Sequence, residues 1–175
     1  MYGKTTHQEP QKLSKSIVGR GTKNADQLTA FFLFNNSNSD RSSILRLARL
    51  YIAEAGIEGI NSDVAFVQMC LETGFLTFTG LVSPEMHNYC GLGAIDAAHP
   101  GEWFPNEQTG VRAHIQHLHA YGTTGQLQQV LVDTRYEFVH PRGKAPEIFQ
   151  LAGTWAADTN YGDKLDRLLS LLAPY

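Results

Sequence analysis

Apolar positions recur along this chain mostly with the period of helices and seldom with that of strands. "NADQLTAFFLFNN" predicts a short helix capped by Asn24, with Leu28, Phe31, Phe32 and Phe34 facing inward. "NSNSDRSS" breaks the pattern with turn-forming residues. "SSILRLARLYIAEAGIEG" has apolar residues at 44, 45, 47, 48, 51, 52 and 55, a helical stripe ending near Gly56–Gly59. In "NSDVAFVQMCLETG", Asn61 or Ser62 is the cap and Val64, Val67, Leu71 and Phe75 share a face. Gly74 fits the position just past a helix end.

The middle, "FLTFTGLVSPEMHNYCGLGAIDAAHPGEWFPNEQTG", is rich in Gly, Pro and aromatics and reads as irregular structure with a short hairpin. "TGVRAHIQHLHAYG" returns to helix, capped by Thr109, with Val111, Ile115 and Leu118 on one stripe. After the loop "VDTRYEFVHPRGKAP", the segments "PEIFQLAGTWAAD" and "NYGDKLDRLLSLLAPY" predict two closing helices. Residues 1–24, dominated by Gly, Lys, Ser and Thr, read as a flexible lead-in, leaving 25–175 as one mainly α domain with a cleft beside the irregular section.

Size and charge narrow the functions. The 175 residues, 42% hydrophobic and 18% charged, suit one sizeable core. A net charge of -3 lacks the basic face that nucleic-acid binding requires. No apolar run reaches the roughly 18 residues of a membrane span. The N-terminal "MYGKTTHQEPQKLSKSIVGRG" has no apolar core of a secretory signal, so a leader is either absent or already removed. Cys70 and Cys90 do not make a disulfide framework; they read as small buried thiols, with a single bridge as the alternative.

Glu72 is the candidate for chemistry. It lies in the last turn of its helix, where the macrodipole is already negative, at a cost of about 0.3–1 kcal/mol. No Lys or Arg stands at 68, 69, 75 or 76 to relieve it. Apolar company at Leu71 and Phe75 would disfavour its anion further. A carboxylic acid kept neutral near pH 7 can protonate a leaving oxygen, as glycoside cleavage requires. An exposed helix-end charge remains the alternative.

Two other chemistries are weighed. "HIQHLH" suggests a zinc site, but it contains no H-E-x-x-H, and His117 and His119 point to different faces from one another. A cysteine nucleophile is disfavoured because Cys70 lies mid-helix rather than at a helix N-terminus.

Four blocks in order, "EGINSDVAFVQMCLETGFLTFTG", "NYCGLGAID", "GVRAHIQHLHAY" and "LAGTWAADTNYGDKL", resemble the glucosaminidase family of bacterial cell-wall hydrolases, glycoside hydrolase family 73. The resemblance implies a lysozyme-like α+β fold and hydrolysis of the β-1,4 bond after N-acetylglucosamine in peptidoglycan. It places the catalytic acid at Glu72 in "FVQMCLETG", with Phe66-Val67 where the family's simplest pattern has Ala before Gln. "DTNYGDKL" resembles the family's "T-D-P-x-Y-A-x-K" and makes Tyr161 the assistant of that acid. "NYCGLG" resembles its "N-x-F-G" loop and sets Asn88 and Tyr89 along the groove, with Gln68 beside them. Cys90 stands where an aromatic is commoner.

A second carboxylate, if the reaction uses one, would come from Glu85, Asp96 or Glu102, with Asp96 the first choice; participation of the substrate's acetamido group is the alternative. Glu58 reads as a structural contact. Phe78, Trp103 and Phe104 offer stacking surfaces for sugars, whereas Trp155 reads as core. The resemblance implies no cofactor or metal, action outside the cytoplasm, and a monomer working on glycan strands. A wall-binding module without catalysis, or a metal-dependent hydrolase using the histidines, are the competing readings.

Overall fold

The computed structural model describes residues 12–175 and is mostly helical. Helices α1 (Ala25–Asn35), α2 (Arg41–Glu58) and α3 (Ser62–Thr73) follow in quick succession. α4 (Glu107–Gly122) and α5 (Tyr161–Leu172) come after long loops that hold three short 3-10 turns, Pro84–Met86, Tyr136–Phe138 and Ile148–Leu151.

Local chemistry starts and stops these elements. Asn24 and Gln27 form a reciprocal capping box on α1. Asp40 caps α2, and Asn61 caps α3 by accepting from the Asp63 and Val64 N–H groups. α2 runs past Gly56 and ends at Gly59, whose φ of 68° is left-handed backbone that glycine adopts cheaply. The cap of α4 lies three residues before the expected Thr109: Asn106 is the cap and accepts from the Thr109 N–H at 2.9 Å.

α3 is the central element. Every residue from Asn61 to Cys70 is buried, so it has no solvated face and no amphipathic stripe. It packs on α2 and α5, while α2 also packs on α1 and α4. The main core draws Phe31, Phe32, Tyr51, Phe66, Ile115 and Leu165 from these helices.

Several expectations change here. Phe34 is 82% exposed, because α1 turns only its Leu28, Phe31 and Phe32 stripe inward. The predicted helix over "PEIFQLAGTWAAD" is a 3-10 turn followed by bends; Gly153 at φ 74° interrupts it. The hairpin expected in the middle section is absent among the described residues, where strand pairing is limited to isolated bridges such as Asp96–His99. Residues 1–11 of the expected lead-in lie outside the described residues. Residues 12–24 are bound to the domain: Leu13 and Ile17 are buried, and Ile17 O accepts from Asn61 N–H at 2.9 Å. Buried Asp63 secures the same segment, accepting from the backbone of Thr22 at 2.8 Å and Lys23 at 3.1 Å. Cys70 and Cys90 are separate, buried thiols.

Two acids on α2 act as fold supports. Glu54 receives Arg112, Gln108 and Gln129, at 2.9, 2.8 and 2.8 Å. Burial alone would raise its pKa, but these donors outweigh burial and hold it below the usual carboxylate range. Glu58 accepts the backbone N–H groups of Gln128 and Gln129 at 2.8 and 3.1 Å, anchoring that loop.

Candidate active site

Glu72 is delivered by the end of α3. Gly74 adopts left-handed backbone with φ 56°, and its N–H returns to the Cys70 and Leu71 carbonyls, which stops the helix two residues beyond the acid. Phe75, Leu76 and Phe78 then also take positive φ, at 52°, 61° and 49°. Such backbone costs on the order of 1 kcal/mol or more per non-glycine residue and needs compensation. Here the Phe75 N–H bonds Cys70 O at 2.8 Å, Leu76 N–H bonds Thr73 Oγ1 at 2.9 Å and Phe78 N–H bonds Thr73 O at 3.0 Å. The coil so formed sets Phe78 in the wall of a cavity of about 150 Å³, which Glu72, Leu81, Asn88, Gly91 and Ala94 also line.

A second cavity of about 230 Å³ continues past Gly91 and is lined by Cys90, His117, Tyr121, Arg135, Phe138 and Trp155. Gly91 belongs to both cavities, and the Trp155 indole of the second bonds Glu72 of the first, so the two adjoin beside the acid and together make up a trough. A cavity of about 550 Å³ lies elsewhere, between residues 12–15 and α5. Its Lys15–Asp166 pair is closed at 2.8 Å, and it brings together no group suited to catalysis.

The acid itself has two donors on one oxygen. Trp155 Nε1–H bonds Glu72 Oε1 at 3.0 Å, and the Tyr161 hydroxyl donates to the same Oε1 in a short contact. Oε2 has no partner among the described residues. Much of the side chain meets solvent along the trough, yet protein crowds the carboxyl end between the two aromatic groups. Burial pushes its pKa up, the two donors pull it down, and burial prevails: the group titrates above the ordinary 4.5. The Tyr161 hydroxyl is pushed well above its ordinary range by burial and by the Glu72 charge.

Behind Tyr161 lies a line of buried polar groups. Gln68 Nε2 donates to the Tyr161 hydroxyl oxygen at 2.8 Å. His114 Nε2 meets Gln68 Oε1 at 2.9 Å, and its Nδ1 meets the Tyr51 hydroxyl at 2.8 Å. Burial, with a small contribution from His117, lowers the His114 pKa to about 3, so the ring is neutral.

The expected site residues are therefore scattered. Glu72 and Tyr161 come together, and Phe78 and Asn88 line the trough beside them. Asn88 also clasps its own loop, exchanging bonds with the Leu92 N–H and carbonyl at 3.0 and 2.9 Å. Gln68 is fully buried and contacts the site only through Tyr161, not as a groove wall. Tyr89 packs in the core with its ring 6.4 Å from that of Tyr51. Trp103 is 64% exposed and borders neither cavity, while Phe104 is buried in a small separate cluster.

Asp96 is in an exposed turn, where it accepts from the Ala98 and His99 N–H groups at 2.9 Å each and from the His99 ring at 3.1 Å. The His99 ring and those backbone donors hold its pKa below the usual range, the opposite of a proton donor. Asp96, Glu85 and Glu102 are not among the residues lining the trough. Trp155, expected in the core, is instead half-buried and touches the acid, a role with no spacing signal in the sequence.

The "HIQHLH" histidines diverge. His114 serves Tyr51 and Gln68, His117 meets buried Asp133 at 2.7 Å, and His119 meets the Tyr136 hydroxyl at 3.1 Å. Among the described residues no three His, Cys, Asp or Glu side chains converge as a metal site would demand. The thiols of Cys70 and Cys90 are pushed well above their ordinary range by burial, which suppresses the thiolate a nucleophile needs.

A family model described as Glucosaminidase, mannosyl-glycoprotein endo-beta-N-acetylglucosaminidase, matches residues 48–173, most of the chain and all of the trough. The chain belongs to the glucosaminidase family. An uncharacterized protein of Borreliella burgdorferi is 39% identical to it over 171 residues, covering 98% of this chain and 83% of that protein. This glucosaminidase domain is thus of a glycoside-hydrolase family with a mainly α, lysozyme-like fold, and it holds Glu72 on its central helix. No helix among the described residues is long and apolar enough to cross a membrane.

Proposed function

We propose that this glucosaminidase hydrolyses the β-1,4 bond after N-acetylglucosamine in the glycan strand of peptidoglycan, outside the cytoplasm, with Glu72 as general acid. The observation that carries the proposal is the carboxyl in the trough, bonded on Oε1 by Tyr161 and Trp155 and disfavoured as an anion by its surroundings.

The two donors divide the labour between the carboxyl oxygens. Oε1 is occupied, so the acidic proton belongs on Oε2, the oxygen free to meet a glycosidic oxygen in the trough. As that proton moves to the leaving sugar, negative charge grows on Glu72. Tyr161 and Trp155 already point at Oε1 and stabilise the charge without reorganising. Bonds to a charged acceptor are worth about 1.5–3 kcal/mol, against about 0.5–1.5 for a neutral one, so the donors favour the transition state over the ground state.

Glu72 is the one carboxylate among the described residues lining the trough. This favours the substrate's acetamido group as the nucleophile, with Glu72 taking a proton from water in the second step. A paired-carboxylate mechanism would need an acid within about 10 Å of Glu72, across the scissile bond.

Digestion of purified sacculi followed by mass spectrometry of the released muropeptides tests the bond cut. New reducing ends on N-acetylglucosamine support the proposal. Reducing ends on N-acetylmuramic acid, or binding without turnover, would replace it with a muramidase or a wall-binding module. NMR of the first-formed anomer tests the nucleophile: retention fits acetamido participation, and inversion excludes it.

A further inference from the structure

The buried groups behind Tyr161 form a line of fixed polarity. Each has one arrangement that uses its hydrogens without conflict. Tyr51 O–H donates to His114 Nδ1, which requires the neutral Nε2–H tautomer of His114. That Nε2–H then donates to Gln68 Oε1, which turns the amide nitrogen of Gln68 toward Tyr161. The Tyr161 oxygen receives an N–H, so its single proton is left for Glu72 Oε1. Reversal of any member, a flipped Gln68 amide or the other His114 tautomer, would present an acceptor to Tyr161 and draw its proton away from the acid.

We infer that Gln68 and His114 are positioning residues: with Tyr51 they hold the Tyr161 hydroxyl proton on Glu72, and so tune the acid from within the core. Gln68, His114 and Tyr51 are all fully buried, with no exposure to the trough. A satisfied polar line across a packed core is costly unless every member is paired, and no buried side-chain nitrogen or oxygen among the described residues lacks a partner. The inference deepens the reading of Glu72 as the acid and rests on it.

The groups that face Glu72 are few. Tyr161 approaches from α5, Trp155 from the loop before it and Cys90 from the loop after the first 3-10 turn. His114 and His117 stand behind Trp155, with ring centres 5.9 and 5.0 Å from the indole. No cation is in direct contact with Glu72 among the described residues, so the hydroxyl and indole donors are what offset its burial.

The test replaces Gln68 by Met, close in volume but without the amide, and follows both the pH–rate profile and the titration of the Glu72 carboxyl by NMR. A hydroxyl freed to rotate leaves Glu72 with a weaker donor set. The alkaline limb of the profile and the carboxyl titration should therefore both move to higher pH. Turnover at the optimum should fall about tenfold to a hundredfold, as expected for a lost transition-state hydrogen bond. Tyr161→Phe should reproduce the displacement, and in that background Gln68→Met should add little, because its route to the acid is already cut.

Tyr51→Phe, a mild change at the far end, should move the same two readouts in the same direction by less, and it serves if Gln68→Met does not fold. A purely structural role would lower the melting temperature and the rate with the pH limb unmoved, and that result overturns the inference. So would a full Gln68→Met effect in the Tyr161→Phe background. The NMR titration needs no turnover: a displaced Glu72 titration in a chain that cleaves no glycan would keep the positioning role and refute the proposed reaction.

Discussion

Replacement of Glu72 by Gln separates the chemistry of the acid from its effect on the fold. The amide keeps the shape, and its Oε1 still accepts from Tyr161 and Trp155, but it has no acidic proton for Oε2 to deliver. A positioned general acid is worth about 10²–10⁴ in rate, so turnover on sacculi should fall by at least two orders of magnitude. Stability should respond differently. Where Glu72 is ionised, two charge-assisted bonds become neutral ones, a loss of about 1 kcal/mol each; where it is protonated they are neutral already. Against this, the variant sheds the crowding of the anion and the helix-end repulsion, the latter about 0.3–1 kcal/mol.

The net change should lie within about 1 kcal/mol, or about 2–4 °C in melting temperature for a chain of this size. The pH dependence gives the sharper check. Glu72 titrates above 4.5 in the folded state, so the folded state keeps its proton where the unfolded state has lost it. Its contribution to stability is complete below the unfolded value and is lost as pH rises through the raised folded value. The melting temperature of Glu72→Gln should therefore gain on the wild type as pH rises above about 4.5 and through the raised folded value. Calorimetry over that range reads the difference. A wild type that gains on the variant as pH rises would refute the premise that the anion is disfavoured, and near-normal turnover by the variant would remove Glu72 from the acid role.

Glu54→Gln should lower stability by about 3 kcal/mol at neutral pH, since it breaks the pairing of a buried carboxylate with Arg112, whose side chain keeps 24% exposure. Because Glu54 titrates below its ordinary 4.5, its contribution is present above that value and lost on acidification, so chemical denaturation should show the gap narrowing as pH falls. Gly110→Ala would ordinarily gain about 1 kcal/mol in a helix, but here the new Cβ would lie 1.8 Å from the His87 carbonyl oxygen. It should instead cost about 1–3 kcal/mol or more and loosen the loop before Asn88, seen as a lower melting temperature with reduced activity. Exhaustive chelation should leave turnover unchanged, because the three "HIQHLH" histidines are each committed to a protein partner; loss of activity restored by zinc would revive the metal reading.

Much of this protein was legible in local patterns. Caps at Asn24 and Asn61, the glycine stop at Gly74 and most of the stripes of α1, α2 and α4 depend on near neighbours, and those elements are where the pattern puts them apart from the earlier start of α4 and the outward Phe34. Glu72 was conspicuous because a lone acid at an apolar helix end is locally unfavourable. The failures were of another kind. Phe34 and Trp103 were read inward or onto sugars by residue type, yet hydrophobicity does not say which apolar side chains the packing leaves exposed. The segment around Trp155 carried enough apolar residues for a helix, and Gly153 with the anchoring of Ile148 and Leu151 decided for bends.

The sequence by itself determined most of the helices and the family, and it marked Glu72 as the candidate acid, because each is written in spacing over a few residues or in motif blocks. Only the tertiary structure decided what surrounds that acid. Tyr161 and Trp155 reach it across 89 and 83 positions of chain, and Gln68, His114 and Tyr51 line up from three separate helices. Contacts at such separations are set by how helices pack, and no local rule in the sequence encodes them. The pKa of Glu72 is therefore a property of the assembled core, although its identity was visible in a single turn of helix.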